Sequence, residues 1–367
     1  MKVENYIREY LTGYQNYKDY WNYEDGCVLI GARLLYEATG EKAYFAFIDT
    51  YLKHFVMDDG TIAHYQTGKF NIDSINSGKI LFFMYEKTGE EKYRKAIEVV
   101  MDQLRSQPRC KCGSFFHKQL YPDQIWLDGL YMAQPFYMEY ETKYDKKEQY
   151  NDIIKQFENV QKYLYDKEKG LCYHACDEAK VQFWANKETG CSPNFWLRSM
   201  GWYLMALVDT MDAMSIEIYE QYRKLQDIFK QVLKGILRYQ DEKTGLFYQV
   251  IDRNDVEENY LETSGSAMVG YAIMKACRMG ILLKEKYEPI GTGIFESLVE
   301  NKLQEKSGSY HLTDICEMAG LGPENRRERD GSVAYYLSER IVDDDPKGVG
   351  PFMMAYAQYL QLKKEMR

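Results

Sequence analysis

The sequence predicts an all-α fold, a closed ring of six helical hairpins or (α/α)6 toroid, and three internal echoes predict it. The first is Tyr36-Glu-Ala-Thr-Gly-Glu-Lys-Ala-Tyr44, repeated as Tyr85-Glu-Lys-Thr-Gly-Glu-Glu-Lys-Tyr93 and more faintly between Tyr140 and Tyr150, at intervals of 49 and 55 residues. In each copy an apolar helix ends, a turn intervenes and a second helix with a charged face begins, which is a helical hairpin. The second echo is a set of six starts for small-residue-rich, apolar helices of the kind buried on most sides. The third is a loop motif in which glycine leads a short extended segment: Gly60 to His64, Gly113 to His117, Gly170 to His174, Gly245 to Gln249 and Gly308 to Leu312. Hairpins that cannot bury their apolar faces alone must stack on neighbours, and a closed ring satisfies all six.

In chain order, the first inner helix starts at Asp25-Gly26 and runs to the Thr39-Gly40 turn. The second starts between Asp73 and Gly78, and its outer partner carries Tyr93, Ile97, Val100 and Leu104 at helical spacing. The third follows Tyr121-Pro-Asp, turn chemistry that ends a loop, and places Asp128 in the first turn of a helix with Leu127, Leu130 and Tyr131 at helical spacing. The fourth starts between Arg198 and Gly201 and the fifth at Thr263-Ser-Gly265. The sixth starts at Lys347-Gly-Val-Gly-Pro351. All six N-termini and the long loops should meet at one end of the ring, in one funnel-shaped cleft.

Composition narrows the function. The 367 residues carry no linker or charge block, so residues 1–367 are expected to form one domain. With 34 Tyr, 16 Phe and 5 Trp there is material for both a large core and an aromatic cleft. A net charge of -9 argues against nucleic acid as partner, without preventing a local cationic pocket. No apolar window long enough for a membrane span and no secretion signal are visible, and the eight scattered Cys lack a disulfide framework, so a cytoplasmic protein is expected. Neither Cys110-Lys-Cys112 nor Cys172 with Cys176 has a zinc-site pattern, so no metal is expected. A monomer and a homodimer are both compatible with the sequence.

Within the cleft, Asp128 and Asp73 should be neighbours. Two close carboxylates do not both ionise freely, so one is expected to hold a proton near neutral pH. The plainer readings are a first-turn dipole partner for Asp128 and a helix cap for Asp73. Phe195-Trp196-Leu-Arg198-Ser-Met-Gly-Trp202 should bring a guanidinium fork and two indoles to the rim, as a carboxylate-bearing sugar needs; otherwise Arg198 is salt-bridged to an acid and Trp196 and Trp202 are core. His117 and His174 lie at matched positions of the loop motif, above the carboxylate pair. Asn325 to Asp330 reads as a solvated charged loop.

Together, Gln124 to Phe136, the Asp73 segment, Trp196 to Trp202 and Lys347 to Phe352 resemble glycoside hydrolase family 105, the unsaturated rhamnogalacturonyl hydrolases of pectin degradation. The resemblance implies hydration of the C-4=C-5 double bond of a terminal 4-deoxy uronic acid on lyase-generated oligosaccharides. Asp128 would be general acid and base, with Asp73 beside it. Arg198, His174, Trp202, His117, Trp126 and Trp196 would hold the uronate or stack on the disaccharide. Trp21 and Tyr23 would fit the first inner loop. No cofactor is implied. The loops 241–260 and 322–345 should shape the second sugar subsite. Alternatives are the sister unsaturated glucuronyl hydrolases, a sugar epimerase, which would want histidine pairs on inner helices, and a non-catalytic carbohydrate-binding toroid.

Overall fold

The computed structural model describes residues 2–365. Its helices are α1 (Lys2–Gly13), α2 (Tyr23–Thr39), α3 (Lys42–Phe55), α4 (Lys79–Thr88), α5 (Glu91–Ser106), α6 (Leu127–Lys143) and α7 (Tyr150–Tyr163). They continue as α8 (Leu197–Ala213), α9 (Tyr219–Ile236), α10 (Thr263–Arg278), α11 (Lys284–Asn301), a short α12 (Val333–Ser338) and α13 (Pro346–Glu365). Helices α2, α4, α6, α8, α10 and α13 pack each on the next, and α13 returns to α2, so the inner ring is closed. This is the (α/α)6 toroid.

The inner helices are buried nearly all round, as α10 is from Thr263 to Cys277. The outer ones bury a single stripe: α9 turns Tyr222, Leu225, Phe229, Val232 and Leu233 inward and leaves its charges to solvent. Five hairpins are consecutive in the chain. The sixth inner helix, α13, takes its outer partner from the opposite end of the sequence. Phe352 meets Tyr6 of α1 edge-on at 6.2 Å, and the Tyr356 hydroxyl donates to Glu4 at 3.1 Å.

The echoes have identifiable causes. Gly40 and Gly89 adopt left-handed φ values of 77° and 68° and donate to Tyr36 and Tyr85 carbonyls, closing α2 and α4. The Tyr140 copy is faint because α6 ends at Tyr144, φ -128°, without a left-handed cap. The loop glycines Gly60, Gly113, Gly170, Gly245 and Gly308 all have φ between 71° and 95°, turns that no side chain adopts easily. Short antiparallel ladders flank them: β2 (Tyr165–Asp166) with β3 (Leu171–Cys172), and β5 (Leu303–Lys306) with β6 (Ser309–Leu312). Two more ladders join β1 (Gln124–Trp126) to β4 (Ala175–Asp177) and β7 (Ile315–Cys316) to β8 (Ile341–Val342).

Two local expectations change. The turn at Tyr121 does not lead directly into α6, because β1 intervenes and ties that helix start to the next repeat. The segment Ile72–Gly78 is a 3-10 turn ahead of α4, with Asn71 capping it through the Asp73 N–H.

Candidate active site

One hydrogen bond recurs around the ring. The first N–H of an inner segment donates to the last residue of the following repeat's loop motif: Ile72 to His117 O (3.0 Å), Leu127 to His174 O (3.1 Å) and Leu197 to Gln249 O (3.0 Å). The residue after each donor is Asp73, Asp128 or Arg198. The same backbone bond therefore sets a histidine from the next loop against each aspartate. Two buried glutamines of α5 brace this arrangement. Gln103 donates to Asn71 O, and Gln107 donates to Phe70 O and Phe116 O.

Asp73 and Asp128 line one cavity of about 230 Å³, with Tyr23, His117, Lys118, Tyr121, Trp126 and Arg329 among its walls. A larger groove of about 420 Å³ between α1 and α3 holds a single carboxylate, Glu41. Asp73 is tied on both oxygens, at 3.0 Å to His117 Nε2 and 2.7 Å to Lys118 Nζ. Burial pushes its carboxyl up, but the Lys118 ammonium and His117 imidazole outweigh burial and hold it well below the usual carboxylate range. Asp73 is therefore ionised.

Asp128 is placed differently. His174 Nε2 lies 3.3 Å from its Oδ2, out of line for a hydrogen bond, and neither atom has a hydrogen-bond partner within the described residues. The other ring nitrogen, Nδ1, is 2.8 Å from the Tyr336 hydroxyl. Burial, with Tyr335 and Asp128 nearby, keeps that phenol protonated far above its ordinary range. A Tyr336 hydroxyl donating to Nδ1 leaves the imidazole proton on Nε2, facing Asp128. One carboxylate is thus neutralised by two partners and the other is approached without being bonded.

Trp126 stacks with His117 at 5.0 Å and with Tyr121 at 4.9 Å. The His117 ring also lies close over the start of α6, where a Cβ on Gly129 would stand 3.1 Å from Nδ1. Tyr23 reaches the cavity from α2, and burial together with Glu24 and Asp73 keeps its hydroxyl protonated.

Five expected contact residues lie outside the cavity wall. Arg198 is 1 % exposed and is engaged inside the protein, by the Ser264 hydroxyl (2.7 Å), the Cys316 carbonyl and Glu262 (3.5 Å). Its salt-bridged reading is the one the geometry realises, because Glu262 caps α10 through the Ser264 and Gly265 N–H groups and needs a cation beside it. Trp202 stacks on Tyr131 in the core (4.7 Å). Trp196 packs between His174 and Tyr336 and donates to Gln249. Trp21 donates to Ser74 O and packs against Phe55. His174 is fully buried and meets the cavity wall at Asp128 and, edge-on at 5.2 Å, at Trp126.

Sequence reasoning missed Lys118, Tyr121 and Arg329. Lys118 directly follows His117, and that adjacency was its only signal. Arg329 belongs to the run expected to be solvated, and that expectation is corrected: its neighbours Arg326 and Arg327 are exposed and paired with Glu328 and Glu324, but Arg329 turns into the cavity. Of the two loops expected to shape the second subsite, 322–345 supplies that arginine, and 241–260 supplies no wall residue.

A cleft at the N-terminal ends of a six-hairpin ring, holding two aspartates of unlike environment, is the setting in which the comparisons with known proteins take their meaning. The sequence profile described as Glycosyl Hydrolase Family 88 matches residues 2–363. The chain belongs to that family. Within it, a Clostridium acetobutylicum glycoside hydrolase from family 105 is 40% identical, with a TM-score of 0.92 covering 98% of this chain and 99% of that one. Agrobacterium fabrum protein Atu3128 is 39% identical over 242 residues, 64% of this chain and 100% of its own length. The Bacillus subtilis unsaturated rhamnogalacturonyl hydrolase YesR is 25% identical over 266 residues, 71% of this chain and 72% of its own. A likeness of fold alone, at 14% identity and a TM-score of 0.69 over 99% of this chain and 96% of the other, extends to the unsaturated glucuronyl hydrolase of Bacillus sp. GL1.

In this family 88 chain the five histidines all lie off the inner helices: His54 on α3, His64, His117 and His174 in loops, and His311 on β6. Among the described residues one group of three could offer metal ligands, Cys110, Cys112 and Glu178. Both Glu178 oxygens accept backbone N–H groups, from Lys111 at 2.6 Å and Cys112 at 2.9 Å, so the carboxylate already has a structural role in that turn. No helix among the described residues is long and apolar enough to cross a membrane.

Proposed function

We propose that the protein removes the terminal unsaturated galacturonic acid from lyase-generated rhamnogalacturonan oligosaccharides by hydrating its C-4=C-5 double bond. The observation that carries this is the asymmetry of the aspartate pair in a family 88 cleft. An ionised, doubly paired Asp73 stands near an Asp128 whose Oδ2 has no hydrogen-bond partner among the described residues. In this reading Asp128 donates a proton to C-4 and, as the carboxylate, takes one from the water that adds at C-5. The hemiketal so formed opens, the glycosidic bond breaks, and the uronic acid leaves as a keto sugar. His174, oriented by Tyr336, positions the Asp128 carboxyl. Tyr121 and His117 offer ring faces to the sugar, and Tyr23 offers a hydroxyl.

The rhamnose specificity and the pectin setting are supported by 40% identity to a family 105 structure and by the similarity to YesR. A cytoplasmic location is part of the same proposal. Hydration of glucuronyl oligosaccharides from glycosaminoglycans is the second reading, favoured by the shared toroid of the Bacillus sp. GL1 enzyme. The test follows the ultraviolet absorbance of the conjugated alkene. Wild type should consume unsaturated galacturonyl-rhamnose, and Asp128→Asn should bind it without turnover. Turnover confined to an unsaturated chondroitin disaccharide would replace the first reading by the second. Turnover of neither, by folded protein, would refute both.

A further inference from the structure

The proposed substrate brings an acidic group into the cleft, so some cation must meet it. Three of the four cations in or under that wall are spent within the protein. Lys118 is paired with Asp73 at 2.7 Å, Lys18 with Glu24 at 2.5 Å, and the buried Arg198 with Glu262. Arg329 has no ion pair among the described residues. Its closest polar contact is a weak one, from Nη2 to the Met318 sulfur at 3.3 Å.

Its backbone is nevertheless fixed. The Arg329 carbonyl accepts from Gly322 N at 2.8 Å, and its N–H donates to Arg326 O at 3.0 Å, which pinches the charged run into a closed loop. That loop is anchored on both sides, by Gly320 N to the Tyr335 hydroxyl (2.9 Å) and by Asn194 to Gly331 O (2.8 Å). A Cβ built on Gly320 would lie 3.6 Å from Arg329 Nη1 and 3.7 Å from the outer edge of Trp126. The guanidinium therefore stands beside the indole that leads into the Asp128 helix. A planar fork with free N–H groups, held at a cavity wall next to aromatic surface, suits bidentate capture of a carboxylate or ester sulfate.

We propose that Arg329 is the anion anchor of the cleft and binds an acidic group of the saccharide. The inference rests on the function proposed above. The anionic group has two possible sources, the carboxylate of the unsaturated uronate or an acidic substituent on the second sugar, and one set of substrates separates them. Arg329→Met, Arg329→Lys and wild type would be assayed on unsaturated galacturonyl-rhamnose, on its uronate methyl ester, and on an unsaturated uronyl disaccharide sulfated on the second sugar. A charge-assisted hydrogen bond is worth about 1.5–3 kcal/mol, so Arg329→Met should lose about 10- to 100-fold in kcat/KM wherever the anion is present. Arg329→Lys should recover part of the loss.

If the uronate is the source, the loss appears with the acid and vanishes with the ester. If the second sugar is the source, it appears only with the sulfated compound. A loss of equal size on ester and acid, or no loss on any compound, overturns the proposal. Titration of the acid disaccharide and of its methyl ester into Asp128→Asn, with and without Arg329→Met, reads the anchor without catalysis. Preference for the acid that disappears with the arginine would support the anchor even if turnover failed and the activity reading fell. Absence of that preference, together with no Arg329-dependent gain in binding from the sulfate of the sulfated disaccharide, overturns the anchor even if turnover is present.

Discussion

Removing the ammonium that neutralises Asp73 should move its depressed carboxyl back toward the ordinary carboxylate range. In Lys118→Met the Nζ–Oδ2 contact of 2.7 Å disappears while the 3.0 Å contact from His117 remains. A unit-charge pair at about 4 Å is worth about 4 kcal/mol at an effective dielectric constant near 20. Lys118 is 33% exposed and Asp73 10% exposed, so screening reduces the figure by about half, to ~2 kcal/mol. That corresponds to a rise of about 1–2 pH units for the Asp73 carboxyl, with burial now opposed by His117 alone. Asp73 is depressed in wild type, so it stays ionised until the medium is strongly acid. In Lys118→Met its protonation should begin about 1–2 units higher, still on the acid side of the ordinary carboxylate range, and the acid limb of kcat/KM that Asp73 sets should move up by the same amount. Lys118→Arg keeps the charge and should keep the limb in place. The assay is loss of alkene absorbance across the acid range for all three proteins. A uniform fall in kcat/KM with an unmoved acid limb would refute the argument, and would reduce Lys118 to a substrate contact.

Two further outcomes follow from buried charges away from the cleft. Glu141 is fully buried near the end of α6, with Oε1 unbonded, and burial raises its carboxyl to about 7. A carboxyl raised on folding stabilises least above its folded value: stability falls as pH climbs from 4.5 to 7 and the penalty is then constant. Glu141→Gln should therefore stabilise the protein by about 1–3 kcal/mol at pH 8 and by much less near pH 5, read as the change in Tm at each pH; an equal gain at both would refute the assignment. Arg198→Met strands the buried Glu262 carboxylate and should cost about 3–5 kcal/mol in chemical denaturation, with KM of the folded fraction nearly unchanged. A large rise in KM without loss of stability would return Arg198 to the substrate side.

Repetition made the ring legible, because the Thr-Gly caps of α2 and α4 and the five loop glycines answer to local backbone needs that recur along the chain. The placement of histidines over aspartates was legible for the same reason. His117 and His174 end the same motif, and one backbone bond per repeat carries each to its carboxylate. The facing direction of single side chains was not legible. Arg198 occupies the repeat position of Asp73 and Asp128, yet it turns toward Glu262, whose requirement for a cation arises from the cap of a helix more than sixty residues later. Trp202 and Trp196 carry the composition of a sugar platform and are consumed by Tyr131 and Tyr336. Arg329 sits among exposed paired charges, and only the closure of its loop on Gly322 aims it inward. Such choices depend on contacts between distant repeats, which composition and spacing do not encode.

The unequal treatment of the two aspartates follows from what each helix start receives. Both accept a histidine from the next loop through the same backbone bond. The difference lies one residue further on. After His117 comes Lys118, whose ammonium reaches Asp73; after His174 comes Ala175, a strand residue paired with Trp126, which brings no charge. At His174 the second partner stands behind the imidazole as the Tyr336 hydroxyl, and it orients the ring without adding charge at Asp128. Under the proposed function, an acid that releases and recovers a proton at this position is served by a neighbour of this kind, since a fixed cation would favour the carboxylate throughout. Introducing lysine at position 175 would not reproduce the Asp73 environment, because the Ala175 side chain is fully buried against Trp126, Trp184 and Leu321. The ring thus uses one repeated scaffold to give its two aspartates unlike partners, a histidine and an ammonium at Asp73 and a tyrosine-oriented histidine alone at Asp128.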